Sequence, residues 1–178
     1  MSEDPTAAAR RQIAALGPKG WGGRTLSDAD VDALLRGAPC AEVAAGAVLA
    51  REGEPADRAF FLVAGRLRAS VALGGAQERP VNEIGAGEAT GEAALFLTGG
   101  RRTATLTALE PSTVMVLRRE LFRPGEPNPA VVALASQILA GLARRIERTD
   151  AQIVEAWRTA SGAAPSRMGL LAVLEGTS

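Results

Sequence analysis

IGAGEATGEAALFLTGGRRTAT, residues 84–105, is the stretch on which the reading of this chain turns. Glycines lead into a short helical turn expected at 92–97, a Gly-Gly pair makes a loop, and two arginines precede a strand. Free backbone N–H groups at the start of such a turn point at an anion. An arginine facing them across the loop can fork onto two phosphate oxygens. A carboxylate in the same place is repelled by phosphate, yet it can accept a hydrogen bond from a sugar hydroxyl. The small residues Ala93 and Ala94 let a ligand approach the backbone closely. Glu92 and Arg102 are therefore the first candidates for a binding site.

Working outward, the flanking sequence alternates with a period of two. In RLRASVAL (66–73), Leu67, Ala69, Val71 and Leu73 share one face, and Arg66, Arg68 and Ser70 the other. FFLVA (60–64) reads as a more fully buried strand, and GGAQE (74–78) as a hairpin turn that returns a strand at 79–84 against 66–73. TATLTAL and STVMVLR add two strands separated by Glu110-Pro111. Many short strands punctuated by Gly and Pro predict an antiparallel β-roll rather than a parallel sheet.

Helices flank this region. Residues 5–16 are rich in Ala and Arg and read as a short helix or an arm, and Ser27 caps DADVDALLRG with Val31, Leu34 and Leu35 on one face. Asn128 is a second N-cap with Pro129 in the first helical position, where its missing N–H costs nothing. A helix of about 30 residues follows, with Gly141 inside it and a break at SGAAPS (161–166). Leu142, Ile146, Thr149, Ile153 and Ala156 recur at alternating spacings of four and three, a coiled-coil seam. The seam predicts a homodimer through the 129–158 helix, or packing of that helix on its own roll. The division expected is an arm at 1–24, a roll with its leading helix at 25–127, a long helix at 128–160 and a tail at 161–178, an α+β fold. Trp21 and Trp157 are expected to be packing residues.

Composition removes whole classes of function. There is no histidine, so Ser-His and Cys-His pairs, HExxH helices and imidazole metal centres are all absent. The single Cys40 cannot form an internal disulfide or a thiolate metal site. Twenty basic residues balance twenty acidic ones, which leaves no electrostatic footprint for nucleic acid or an anionic membrane. No apolar run approaches membrane-spanning length and the N-terminus has no signal-peptide core. These features predict a cytoplasmic protein that is not an enzyme, carries no catalytic cofactor or metal, and engages neither nucleic acid nor membrane.

Two sets of residues carry a resemblance. Gly91-Glu92-x-Ala94-Leu95 followed by Arg102-Thr103-Ala104 resembles the phosphate-binding cassette of the cyclic-nucleotide-binding domain family. Upstream, Gly46-x-x-Leu49-x-x-x-Gly53-Glu54-x-x-Asp57-x-x-Phe60-x-Leu62-x-x-Gly65-x-Leu67 is similar to that family's first strands and glycine turns. The resemblance covers roughly residues 25–150. It implies a cyclic nucleotide as ligand, with cAMP placed before cGMP. Glu92 would accept from the ribose 2′-hydroxyl and Arg102 would pair with the cyclic phosphate. Thr103 would add a hydroxyl near phosphate or base, and Gly91, Ala93 and Ala94 would offer backbone groups. The long helix would cap the base, with Thr149 as a contact to it, and an unidentified protein effector would read the change. Thr90 and Gly100 depart from the family's usual aromatic or aliphatic residue and proline. Family members that read DNA carry a winged helix-turn-helix after the long helix, and the stretch beyond Ser161-Gly162 is too short for one.

Plainer readings stand beside these. Glu92 could be a first-turn acid, Arg102 and Arg101 solvated arginines, and Thr103 a strand threonine. The alternative function is a roll that binds no nucleotide and uses its helix for assembly.

Overall fold

A computed structural model describes residues 4–16, 25–74, 77–123 and 128–161. The chain falls into two compact units, Met1–Gly141 and Leu142–Ser178. In the first unit lie α1 (Pro5–Ala14), α2 (Asp28–Gly37), β1 (Cys40–Val43), β2 (Val48–Ala50), β3 (Arg58–Ala64), β4 (Arg66–Ala72) and β5 (Glu78–Gly85). It continues with β6 (Ala89–Thr90), α3 (Ala93–Phe96), β7 (Thr105–Ala108), β8 (Ser112–Arg118) and a 3-10 turn at Arg119–Phe122. The long helix α4 (Pro129–Ser161) starts in this unit and runs on into the second.

The strands form two antiparallel sheets, ordered β1-β8-β3-β6 and β2-β7-β4-β5. This is the α+β roll that the strand pattern predicts. Consecutive strands β3 and β4 lie in different sheets, and the corner between them is Gly65 at φ +94°, a backbone angle open to glycine and strained for other residues. Between the sheets, Phe60, Leu62, Leu67, Ile84, Leu106 and Val114 make the core, with Ala50 and Ala108 filling the gaps. The other face of β3 is buried as well: Ala59, Phe61 and Val63 lie there, and α1 packs against β1 and β3. Helix α1 is thus part of the roll's core, with Ala9 and Ile13 fully buried.

The helix starts follow from their caps. Ser27 and Asp30 form a reciprocal capping box at α2, and Val31 and Leu34 turn into the core. Asn128 accepts from the Ala130 N–H at 2.7 Å and donates to the Asp30 carbonyl at 2.9 Å, which ties the start of α4 to α2. Ala130, Ala133, Leu134 and Ile138 then bury one stripe of its first turns.

Three expectations need correction. Leu73, expected inward, is 61% exposed, because it lies beyond the last paired residues, Ala72 and Glu78. Ser70, expected outward, is 4% exposed because Glu78 folds over it and accepts its hydroxyl at 2.6 Å. The ladder skips Val81 here, beside Pro80, which has no N–H to give; a bulge accommodates both. Trp157 is 76% exposed. By length and composition Pro129–Thr159 could cross a membrane, which the sequence reading did not anticipate; its first turns are instead buried in the roll. In the second unit, Ile146 and Ile153 of the expected seam are exposed. Trp21 and the tail beyond Ser161 lie outside the described residues.

Candidate functional site

Arg102 is placed by its main chain. Its N–H donates to the Glu54 carbonyl at 2.8 Å, and the Gly53 N–H donates to the Arg102 carbonyl at 2.8 Å. The Ala56 N–H donates to the Gly100 carbonyl at 2.9 Å, and the Arg101 side chain reaches the Gly53 carbonyl at 2.8 Å. The upstream glycine turn and the Gly-Gly-Arg-Arg loop, far apart in sequence, are therefore zipped together. The result turns the Arg102 side chain inward, where it is 8% exposed, with its guanidinium carbon 5.6 Å from the centroid of the Phe60 ring.

The charge there is only loosely offset. Among the described residues, the carboxylate within ion-pair reach of Arg102 is Asp57, at 3.9 Å. Asp57 is already held by Arg58 through two 2.7 Å hydrogen bonds, which depress its carboxyl below the usual range. Burial pushes the Arg102 guanidinium below its ordinary value, with Asp57 pulling the other way. A buried cation in this state is suited to an incoming anion.

It lines a cavity of about 90 Å³. Of the expected residues, Gly91, Ala93, Ala94, Arg102 and Thr103 line it, and Phe60 forms part of its wall. Glu92 is 8% exposed at the N-cap position of α3; its side chain makes no capping hydrogen bond, and it is not part of the cavity lining. The Ala94 N–H, expected to face an anion, donates instead to the Gly91 carbonyl at 3.1 Å, closing the turn. The positive charge at this cavity consequently comes from side chains, Arg102 and its neighbour Arg101, rather than from that N–H. Thr103 is exposed at the rim. Thr149 sits in the second unit, exposed, with its hydroxyl donating to the Arg145 carbonyl at 2.9 Å.

Sequence reasoning did not single out Phe60 and Asp57 as companions of Arg102, although both stand in the upstream motif. Nor did it place Arg101 on the cavity, where it lines one side while tied to Gly53. Alternation along β3 could have flagged Phe60 as inward-facing; no local signal marks Asp57.

Gly91 makes this packing work. Its φ is +73°, and a Cβ there would stand 2.6 Å from an Arg102 guanidinium nitrogen and 3.5 Å from the Arg58 carbonyl. Gly91→Ala is expected to lower stability by about 1–2 kcal/mol through the left-handed backbone alone. It should also push Arg102 off its position and weaken anion binding about tenfold. Urea unfolding and calorimetry on Gly91→Ala, alone and combined with Arg102→Ala, would read both effects. The binding losses should be non-additive, since one acts through the other.

Residues 41–124 match the family model of the cyclic nucleotide-binding domain. The roll belongs to that family. Among curated proteins, the cyclic nucleotide-binding roll is similar to Lysophospholipase nte1 of Aspergillus fumigatus, 31% identical over 100 residues; the match takes in 56% of this chain and 6% of that protein. Among solved structures, a cyclic nucleotide-binding domain from Methylobacillus flagellatus overlays with a TM-score of 0.67 at 19% identity, covering 89% of this chain and 86% of that one. The regulatory domain of Toxoplasma gondii PKA, crystallised with cAMP, overlays with a TM-score of 0.53 at 25% identity, covering 76% of this chain and 48% of that one. The first of these structures speaks to the fold alone.

Proposed function

We propose that this protein is a cyclic nucleotide-binding regulatory module, with cAMP preferred over cGMP, and that it has no catalytic activity of its own. The observation that carries the reading is the buried Arg102 guanidinium on the cavity wall, its charge incompletely met by Asp57. The presence of cAMP in the similar Toxoplasma regulatory domain supports the choice of ligand.

At about 90 Å³ the cavity is smaller than the several hundred cubic ångströms that enclose a drug-sized ligand. That volume has room for the phosphate group, leaving the sugar and base toward the mouth. In this reading Arg102 takes the phosphate and Glu92, once it swings from its buried position, the 2′-hydroxyl. Gly91, Ala93 and Ala94 offer close backbone, while Thr103 and Thr149 are candidates for the base. Binding would favour one arrangement of α4 over another and so change what the helix shows to a second copy or to a protein effector. That shift requires the nucleotide to prefer one state over the other.

The test is a titration of the purified protein with each nucleotide, by calorimetry and thermal unfolding. Ligand at a hundred times Kd should add about 2.7 kcal/mol of stability, which for a chain of this size raises the melting temperature by roughly 5–10 °C. No shift at millimolar cAMP or cGMP would leave the reading without support and favour a roll that serves assembly alone.

A further inference from the structure

The short turn α3 contributes Ala93 and Ala94 to the cavity, yet little holds its far end. Ala94 and Leu95 are buried beneath it, but Phe96 and Leu97 at its end are 58% and 62% exposed, so apolar burial cannot fix that end. Its last carbonyls have no partner within a four-residue helix. Arg119, the first residue of the 3-10 turn that follows β8, supplies one. A single guanidinium nitrogen donates to the Ala94 carbonyl at 3.3 Å and to the Leu97 carbonyl. Three residues on, Phe122 meets Phe96 with ring centroids 6.4 Å apart. Both links join α3 to the same short turn, and the charged one is the stronger because an ionised donor roughly doubles a hydrogen bond's strength.

We propose that Arg119 is a positioning residue for the cavity: it holds the C-terminal end of α3 against the end of β8 and so keeps Ala93 and Ala94 in register with Arg102. Arg119 is not part of the cavity lining; it acts through the backbone of α3. The proposal rests on the nucleotide-binding reading for its effect on affinity, but its structural half does not.

Arg119→Ala and Arg119→Lys in the full chain test it with two readouts. Without ligand, amide hydrogen exchange of residues 93–97 should quicken about tenfold or more in Arg119→Ala, while β3 and β8 keep their protection. In the presence of cAMP, affinity by calorimetry should fall about tenfold in Arg119→Ala, and Arg119→Lys, which keeps the charge and N–H donors on a compact, more flexible ammonium, should recover part of both. Unchanged exchange at 93–97 would overturn the proposal. So would quickened exchange with wild-type affinity, which would make Arg119 a brace that the site does not need. If Arg119→Ala does not fold, the same comparison is made between Arg119→Lys and wild type. If the wild type binds neither nucleotide, the binding reading has failed, and the exchange experiment alone decides whether Arg119 holds the turn.

Discussion

Replacing Arg102 with alanine is expected to lower the affinity proposed for cAMP by roughly ten- to a hundredfold, the range for losing a charge-assisted hydrogen-bonded partner of about 1.5–3 kcal/mol. The same change should leave the melting temperature of the ligand-free protein within a few degrees of wild type. The reason is that Arg102 is poorly rewarded in the empty roll. Its side chain is 8% exposed, it lies 3.9 Å from a carboxylate that Arg58 already holds, and burial depresses its guanidinium. What it gains is the contact with the Phe60 ring at 5.6 Å, worth about 0.5–2 kcal/mol, and the cost of burying its charge opposes that gain. A residue kept for stability would show the opposite pattern. Arg102→Lys, which preserves charge but cannot fork, should bind with intermediate affinity. Calorimetry paired with thermal unfolding separates these outcomes, and unchanged affinity in Arg102→Ala would refute the phosphate assignment.

Gly65→Ala should be the most damaging single-methyl change in the roll. Gly65 turns the chain from one sheet into the other at φ +94°, and a Cβ there would sit 2.2 Å from the Ser112 hydroxyl, 2.7 Å from the Ser112 Cα and 2.8 Å from the Pro111 carbonyl. Two of those three atoms are backbone and cannot rotate aside. The third belongs to a hydroxyl that donates to the Glu110 carbonyl at 2.8 Å and accepts from the Arg66 N–H at 3.3 Å, stitching the β3–β4 corner to the β7–β8 corner. The left-handed backbone costs about 1–2 kcal/mol and the forced displacement about 1–3 kcal/mol more. A loss of about 3 kcal/mol or more is therefore expected, a large share of the 5–15 kcal/mol typical of a domain. Chemical denaturation measures it directly; a loss below about 1 kcal/mol would show that the corner yields without strain.

Local signals in this chain were legible and non-local ones were not. The caps at Ser27 and Asn128 were legible in the sequence because each partner lies within three residues, although the reciprocal bond from Asp30 came only with the structure. The return of β5 against β4 was legible for the same reason: alternation on both sides of one tight turn fixes the pairing. Ser70 and Leu73 defeated the same alternation. Whether a strand position is buried depends on where its partner strand ends and on which side chain folds over it, and Glu78 decided that for Ser70.

By itself, the sequence determined that this is an antiparallel roll with helices at both flanks, and it offered the cassette around Arg102 as the candidate site for an anion. Period-two patterning, glycine corners and helix caps are short-range physics, written in neighbouring residues. Tertiary structure alone decided what Arg102 experiences. The ring of Phe60 under it, the loosely paired Asp57 beside it, the Gly53–Glu54 turn that aims it and the Arg119 that steadies the opposite wall all come from other strands and turns. Electrostatics and packing act through space, so the strength of a buried charge follows from which segments the closing sheets bring together.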